Sequence, residues 1–448
     1  MRTIFQPALS ISLLLVIGYG LHSCKKKSEI TISAPLPEKV IDAFYNPAKV
    51  IHLYKDTVYT MSSSITRSAG QQLIIDEGTL IKVDSTAGIV INPGGRLLAN
   101  GTAGNPIVFT LNAAPGTQNI SWQGISIQGQ SFDNASGSSG NSADSSGSLR
   151  YVRIEFSHLV LSGAGSGTTL ENIQVSYSYN APAFEFDGGS FNARNLVSYA
   201  CAGPVDFYIT RGYQGKLQNM LAYRLPWFGA RNFTPPNALT GVFIENNPYD
   251  TSLKPYTYPV ISNLTVLGPN GQQGTSAFYN DTLSRAAALI TTGNARFRIR
   301  NSLLLGFPRG GWCLDDSLTG VGLTTGISEF SWSIAQSNDT SRTFYISTGT
   351  FIDPVDFKGF VLSPSLHNML FKSADDFMLN DPFHYENAAP DPAPKSGSPV
   401  LSGADFSGAD FSDVFFNKVA WKGALGNEDW IQGWINFHPL QSQYNFPR

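Results

Sequence analysis

Hydrophobic positions in the central part of the chain recur in short blocks, each closed by a glycine or asparagine turn. Residues 73–81 and 90–98 align at an offset of 17, and each gives a short apolar strand, a glycine turn and a second short strand. Further along, five asparagines each stand directly before a mostly apolar run: Asn172, Asn195, Asn219, Asn263 and Asn301. The first two steps between them are nearly equal, and the later two steps are longer, which fits coils with inserted loops.

The shorter steps give a period near 23, and together with short strands and no helical periodicity this predicts an all-β solenoid of stacked parallel strands. Asparagine suits a tight corner because it tolerates the left-handed backbone region, and stacked asparagine amides can hydrogen-bond to one another along the axis. The alternative is a β-sandwich, in which turns follow one another at much shorter intervals and no fixed asparagine is needed. The spacing favours the solenoid.

Several sequence blocks can also be recognised in combination: GRLLANGT at 95–102, PIVFT at 106–110, WQGISIQG at 122–129, SGSLRYVRIE at 146–155 and GALGNEDWIQGWINF at 423–437. Together they resemble a mostly uncharacterised family of right-handed parallel β-helix lipoproteins of Bacteroidota. The resemblance implies fold and location rather than activity. Members of that family usually carry an Asp-rich and Gly-rich stretch after the middle coils, whereas residues 201–212 here contain one Asp.

The amino terminus predicts export and lipidation. A basic start precedes an apolar run at 8–21 that is too short to span a membrane comfortably and has the length of a signal-peptide core. The run ends in Leu21-His-Ser-Cys24, which resembles the bacterial lipobox. We therefore expect residues 1–23 to be a lipoprotein signal peptide and Cys24 to carry acyl chains such as palmitate. The alternative is an ordinary cleaved signal followed by an accidental cysteine.

The rest of the chain divides into three predicted regions. Residues 24–50 form a polar, lipidated tether, 51–310 the parallel β-helix with loop insertions, and 311–448 the last coils with a C-terminal cap. Three tryptophans are expected to cover the strand edges at the open end of the β-helix: Trp421, Trp430 and Trp434. Lys25 follows the lipobox in place of the Asp of an inner-membrane retention signal, so we expect outer-membrane anchoring, on either the cell-surface or the periplasmic side.

Composition narrows the classes of partner. Only 14% of residues are charged and the formal net charge is -3, so no basic field suited to nucleic acid covers the molecule. Three cysteines are too few for a disulfide scaffold or a four-thiolate zinc site. Cys201 and Cys313 lie four or five coils apart, roughly 20 Å along the axis, so both are expected to be unpaired and buried.

The chain carries few recognisable catalytic motifs. It has no Gly-x-Ser-x-Gly elbow and no pair of histidines at metal-ligand spacing, so neither a metal nor a cofactor is expected. The nearest catalytic candidates are Asp315 and Asp316, close after Arg309. Adjacent residues of a strand point to opposite faces, so these two acids share a groove only if they lie in a turn. A solvated turn is the alternative.

A second group of catalytic candidates comprises two acids, Asp187 and Asp206, and one base, Arg211. Exposed aromatic rings offer another route to glycan contact, and Trp227, Phe228 and Tyr213 fall in or near predicted loops. The alternative for Trp227 is a loop anchor packed on the wall of the β-helix.

Two classes of function follow. The favoured one is a non-catalytic, lipid-anchored envelope protein that binds glycan or an outer-membrane protein partner. The second is a carbohydrate-active enzyme, a polysaccharide lyase or glycoside hydrolase, with a groove along one sheet. Three or more carboxylates and a base that converge on one face would favour the enzyme. A purely structural spacer in the envelope is a third possibility.

Overall fold

The structure is a computed structural model that describes residues 36–117, 120–135, 140–179, 181–224, 240–269, 287–307, 310–347, 354–383 and 389–444. The strands of these residues are β1 (Glu38–Ile41), β2 (Val50–Leu53), β3 (Val58–Met61), β4 (Ile65–Arg67), β5 (Gln72–Ile75), β6 (Leu80–Val83), β7 (Ile89–Ile91), β8 (Arg96–Asn100), β9 (Ile107–Leu111), β10 (Ile125–Gln128), β11 (Gly147–Glu155), β12 (Leu159–Ser162), β13 (Thr169–Ser176), β14 (Phe184–Asp187), β15 (Asn192–Tyr199), β16 (Val205–Thr210), β17 (Lys216–Tyr223), β18 (Thr240–Glu245), β19 (Val260–Leu267), β20 (Leu289–Thr292), β21 (Arg298–Arg300), β22 (Leu303–Phe307), β23 (Trp312–Leu314), β24 (Glu329–Ser331), β25 (Ile334–Ser337), β26 (Phe344–Ile346), β27 (Met369–Leu370), β28 (Leu379–Asp381) and β29 (Asp391–Pro394). Two helices follow the main coils, α1 (Ser317–Thr324) and α2 (Pro354–Val361).

The strands stack in parallel into a right-handed β-helix with three faces, as the asparagine spacing predicts. Face 1 comprises β2, β5 and β8, the first halves of β11, β13, β15, β17 and β19, and then β21 and β24. Face 2 comprises β1, β3, β6 and β9, the second halves of the same long strands, and β22, β25 and β27. Face 3 is a ten-stranded sheet of β4, β7, β10, β12, β14, β16, β18, β20, β23 and β26.

The predicted asparagine corners are confirmed. Each of the five asparagines has a positive φ, between 55° and 60°, at the bend between face 1 and face 2. Asn195 Nδ2 donates to Asn172 Oδ1 at 2.9 Å, and Asn219 Nδ2 donates to Asn195 Oδ1 at 2.9 Å. The side-chain amides therefore form a ladder along the axis, and each one stabilises the corner of the next coil.

Apolar side chains that alternate along the strands fill the interior. On face 3, Phe184 is aligned with Leu159 in the preceding coil and with Phe207 in the following one. The Phe184 and Phe207 rings stack with centroids 4.9 Å apart. Inward residues thus form continuous rows, and the residues between them form outward rows that are open to ligands. In the described part of the chain, no helix is long and apolar enough to cross a membrane.

Neither described cysteine forms a disulfide, and both are buried, as predicted. Burial, followed by the negative charge of Asp206, raises the pKa of the Cys201 thiol to about 12. The thiol therefore stays protonated at neutral pH and behaves as a small apolar group.

The β-helix begins earlier than expected. Strand β1 lies inside the segment 24–50 that the sequence analysis assigned to a tether. It pairs in parallel with β3, with Glu38 opposite Val58 and Ile41 opposite Met61. The tether boundary at residue 50 is therefore too late, and the ordered coils start by Glu38.

The C-terminal segment corrects a second expectation. Residues 399–444, here called the C-terminal strap, run back along the side of the β-helix instead of covering its open end. Asn301 Nδ2 donates to the carbonyl of Asp405 at 2.9 Å, near the last coils. Nearer the first coils, the Tyr444 hydroxyl donates to Glu155 at 2.5 Å. The strap therefore runs from face 1 near the last coils, where Asp405 pairs with Arg300 at 2.6 Å, across the asparagine corner to face 2 near the first coils.

The three tryptophans predicted as a cap belong to this strap and contact the flank. The Trp421 carbonyl accepts from Asn263 Nδ2 at 3.0 Å. The Trp434 ring is buried and meets Tyr151 edge-on at 5.8 Å, while Trp430 Nε1 donates within the strap to the Ala424 carbonyl. Face 2 carries outward apolar residues such as Leu221, and the strap removes this surface from water.

Replacing Gln174 with alanine is expected to lower the free energy of unfolding by about 2 kcal/mol, because two hydrogen bonds to the strap backbone disappear. Gln174 Nε2 donates to the Asn436 carbonyl at 2.7 Å, and its Oε1 accepts from the Asn436 amide at 2.8 Å. Urea denaturation measures the loss. The exposed Gln128 on face 3 provides the control, Gln128→Ala, and an equal effect of both substitutions would contradict the role of Gln174.

Candidate active site

The acidic pair predicted from the sequence has a structural role. Asp316 is the N-cap of α1, and its side chain accepts from the amides of Leu318 at 2.8 Å and Thr319 at 3.0 Å. The main chain of Asp315 extends β23, and its amide donates to the Thr291 carbonyl of β20. Arg309 lies outside the described residues. Asp316 therefore serves as a helix cap, which is a structural role.

Of the three aromatic candidates, only Tyr213 lies among the described residues. Tyr213 was expected to be exposed in a loop, but its side chain is fully buried and its hydroxyl donates to the Phe191 carbonyl at 2.9 Å. Its ring packs against Phe186 and Phe191, so it cannot offer a face to a sugar. Trp227 and Phe228 lie outside the described residues.

Asp206 is also a structural residue. Its carboxylate is fully buried, and Oδ2 lies 3.0 Å from Nε of Arg224, whose side chain is 2% exposed. The Nε–H is not aligned on that oxygen, so the contact is an ion pair rather than a hydrogen bond. The Ser198 hydroxyl donates to the other carboxylate oxygen at 2.6 Å. This pair stabilises the interior and is inaccessible to a ligand.

The other two candidates of this group, the acidic Asp187 and the basic Arg211, belong to a larger group on face 3. Glu185 and Asp187 alternate with Phe184 and Phe186 along β14, so both carboxylates point outward. In the next coil Tyr208 is aligned with Glu185. We define the carboxylate cluster as Glu185, Asp187, Glu245, Tyr208 and Arg211.

Hydrogen bonds and charges connect the members of the carboxylate cluster across three coils. The Tyr208 hydroxyl donates to the Glu245 carboxylate. Nη1 of Arg211 lies 3.8 Å from Oδ2 of Asp187. Arg211 follows β16 at a corner with φ of 52°, and this backbone bend sets the position of the guanidinium beside β14. Three acids thus share one arginine.

Two inserted loops frame the carboxylate cluster. Asn134, in the first loop, is 2% exposed and donates to Asn246 Oδ1 at 2.9 Å and to the Pro255 carbonyl at 3.0 Å. The backbone amide of Asn134 also donates to the Arg211 carbonyl at 2.9 Å. The loops are therefore joined to each other and to the corner that carries Arg211, which makes this edge of face 3 a fixed wall.

Partial burial shifts the protonation of the acids towards neutral pH. The pKa of the Glu185 carboxyl is raised to about 7, first by burial and then by the charge of Asp187, against the opposing effect of Arg211. The pKa of Asp187 is raised to about 6 by burial, although Arg211 lowers it. Burial also raises the pKa of Glu245, against the hydrogen bond from Tyr208. Such shifts are typical of catalytic acids and bases.

Two atoms of the carboxylate cluster lack hydrogen-bond partners in the described part of the chain. They are Oδ1 of Asp187 and Nε of Arg211. The Asp187 side chain is 9% exposed and that of Arg211 is 34% exposed. Both atoms are themselves buried from solvent, so they are unsatisfied polar groups in the wall of face 3 and not exposed contacts for a ligand.

The raised pKa values predict a fall in stability with rising pH. The native state binds more protons than the unfolded chain where the native pKa is higher, so stabilisation is complete below about pH 4.5 and is lost as the pH passes about 7 for Glu185. Glu185→Gln is expected to be about 2 kcal/mol more stable than the parent at pH 8 and equal to it at pH 4. Urea denaturation at both pH values measures this, and a constant difference would contradict the shift.

A metal site finds no support in the described residues, which contain no group of three or more His, Cys, Asp or Glu side chains arranged to hold an ion.

Glu185, Glu245 and Tyr208 were missed by the sequence analysis. A signal was present, because Glu185 and Tyr208 are separated in the sequence by one coil of the period that the asparagines define. Glu185 and Asp187 also alternate with two phenylalanines, the pattern of a strand with one buried face.

A comparison with protein families agrees with this architecture. Residues 46–330 match the family described as the pectate-lyase like beta helix domain. The crystal structure of pectate lyase Pel9A is similar with a TM-score of 0.38 and 13% sequence identity, over 84% of this chain and 89% of that one. No curated protein matches the sequence. The family match covers more than half of the chain and includes the whole carboxylate cluster, so the protein belongs to the pectate-lyase-like β-helix domain family.

Proposed function

We propose that the protein is a carbohydrate-active enzyme of the cell envelope that hydrolyses glycosidic bonds at the carboxylate cluster. The observation that carries this proposal is the row of three partly buried carboxyl groups, one phenol and one arginine on neighbouring coils of face 3. Keeping acids half-buried costs stability, and proteins most often accept that cost where the acids transfer protons.

The pKa values suggest separate roles for two of the acids. Glu185, with a pKa of about 7, is about half protonated at neutral pH, and its protonated form would donate to the leaving oxygen of the glycosidic bond. Asp187, with a pKa of about 6 and Arg211 beside it, is mostly ionised at neutral pH and would act as base or nucleophile. Tyr208 holds Glu245 through its hydroxyl, which makes Glu245 a positioning residue.

The proposed location is the outer membrane, with the β-helix anchored through acyl chains on Cys24. The lipobox and the apolar run before it support this part of the proposal. Mass spectrometry of the membrane fraction tests it, since acyl groups on an N-terminal Cys24 are expected and an unmodified cysteine would contradict it.

A non-catalytic glycan or protein binder is the second candidate function. It is favoured by the low exposure of Asp187, because a side chain with 9% of its surface accessible limits the approach of water and sugar together. The carboxylate cluster would then bind hydroxyl groups without cleaving a bond.

Incubation of the chain from Ser28 onward with a panel of plant, algal and host polysaccharides separates these functions. New reducing ends without unsaturated ends are expected from hydrolysis. Unsaturated ends would replace the proposed reaction with elimination. Binding on a glycan array without any new end from the same polysaccharides would favour the binder.

A further inference from the structure

A second potential binding site lies at the corner between face 3 and face 1. It is a groove of about 650 Å³, lined by residues that precede four successive strands of face 1. The main lining residues are Gln214 before β17, Lys254 and Tyr256 before β19, Arg296 before β21, and the turn 325–327 before β24. Three steps between coils give a length of roughly 14 Å, since stacked strands are about 4.8 Å apart. We call it the basic groove.

The charge of the basic groove is not neutralised. Lys254 and Arg296 have no carboxylate within 4.0 Å in the described part of the chain, which sets them apart from Arg298 at the edge of the same groove. Nη1 of Arg298 lies 2.7 Å from Oε2 of Glu329, and its Nε lies 3.4 Å from Asp410 of the strap. Two cations therefore face the open groove without a carboxylate partner.

An aromatic side chain holds these two cations in place. The Arg296 guanidinium lies 3.9 Å from the ring centroid of Tyr256, and Nζ of Lys254 lies 5.8 Å from it. Gln214 Nε2 donates to the Tyr256 carbonyl at 3.2 Å, which ties the loop to the preceding coil. The cations are thus pre-oriented, so less side-chain freedom is lost when an anion binds.

The long shape and mixed lining favour a saccharide over a free anion. The groove extends across four coils and combines two cations with the phenol ring of Tyr256, the amide of Gln214 and the backbone of residues 325–327. Amide and backbone groups suit sugar hydroxyls, and guanidinium and ammonium groups suit carboxylate or sulfate. The net charge of -3 argues against a nucleic acid, which needs a wider basic surface.

We propose that the basic groove binds an anionic saccharide, with its carboxylate or sulfate group between Lys254 and Arg296. The basic groove shares no lining residue with the carboxylate cluster, although the loop from Asn246 to Pro259 borders both. Binding there does not depend on catalysis, so the failure of one proposal leaves the other intact.

Isothermal titration of the mature chain with three hexasaccharides of equal length, one sulfated, one uronate-rich and one uncharged, tests the basic groove. The parent is expected to bind at least one anionic hexasaccharide and to bind the uncharged one at least 10-fold more weakly. The double variant Lys254→Gln/Arg296→Gln should bind the anionic ligand at least 10-fold more weakly. The matched control Lys395→Gln/Lys418→Gln removes two exposed lysines elsewhere and should bind like the parent.

Three outcomes would overturn this proposal. Equal affinity of the double variant and the parent for the anionic hexasaccharide would show that Lys254 and Arg296 do not bind it. Equal affinity for inorganic sulfate and the sulfated hexasaccharide would reduce the groove to a site for free anions. Equal loss in the matched control would make the effect one of overall charge. Tyr256→Ala gives a second test, because loss of the ring should weaken anion binding while the charge is unchanged.

Discussion

Replacing Arg224 with methionine is expected to lower the free energy of unfolding by about 3–5 kcal/mol, because it leaves the fully buried Asp206 without its counter-ion. Arg224 also donates to the carbonyls of Cys201 at 3.3 Å, Gly203 at 3.1 Å and Thr240 at 3.1 Å. All three carbonyls would lose a donor in the interior. Burial raises the pKa of Asp206 in the parent, and removal of Arg224 would raise it further.

Urea denaturation of three variants separates the ion pair from simple packing. Arg150→Met removes an arginine whose side chain is 47% exposed and paired with Glu171, and it should cost less than about 1 kcal/mol. Arg224→Met/Asp206→Leu removes both buried charges and should recover part of the loss. If Arg224→Met costs no more than Arg150→Met, the buried pair does not stabilise the coils.

Replacing Glu185 with glutamine is expected to reduce kcat by about 10²–10⁴-fold for the polysaccharide that the parent cleaves. The amide keeps the size of the side chain and removes the proton that the proposed reaction donates. Asp187→Asn should have a loss of similar size, since the second carboxylate is needed in the same cycle. KM should change little, because the substitutions leave the surrounding surface intact.

Activity and stability should change in opposite directions at this position. Glu185→Gln removes a carboxyl whose pKa is raised by burial, so the variant is expected to be more stable than the parent at pH 8 while it is less active. Glu171→Gln on face 1 is the matched control and should retain full activity. Full activity of Glu185→Gln would exclude Glu185 as the acid, and a loss of stability would point to misfolding instead.

The coils could be predicted from the sequence because their corners have a local requirement. Five bends between face 1 and face 2 have a positive φ at an asparagine, which tolerates that conformation and marks the position in the sequence. The period of the coils then follows from the steps between Asn172, Asn195 and Asn219. The fold class and the lack of a disulfide between Cys201 and Cys313 are consequences of this spacing.

The strap could not be predicted because its contacts are distant in sequence. Gln174 and Asn436 are 262 residues apart, and no repeat links them. The tryptophans of the strap suggested burial, but burial at an open end and burial along a flank need the same apolar residues. The sequence pattern therefore predicted correctly that Trp434 is buried, but it placed this tryptophan at the open end and not along the flank.

The carboxylate cluster was found only in part for a related reason. Asp187 and Arg211 are separated in the sequence by a single coil and were both candidates from the sequence. Glu245 joins them through the register of β16 and β18, and residues 211–239 separate these two strands in the sequence. Asp316 illustrates the opposite error, because an acid before a helix and an acid in a groove look alike in sequence.

The course of the strap also determines where the two ends of the described chain lie. Leu36 and Tyr444 pack against the same small apolar group of Val58, Leu80 and Val108. The described chain therefore ends beside the place where it begins, at one end of the β-helix. A domain fused at either end of residues 36–444 would emerge on one side, and the opposite tip would stay free to reach outward.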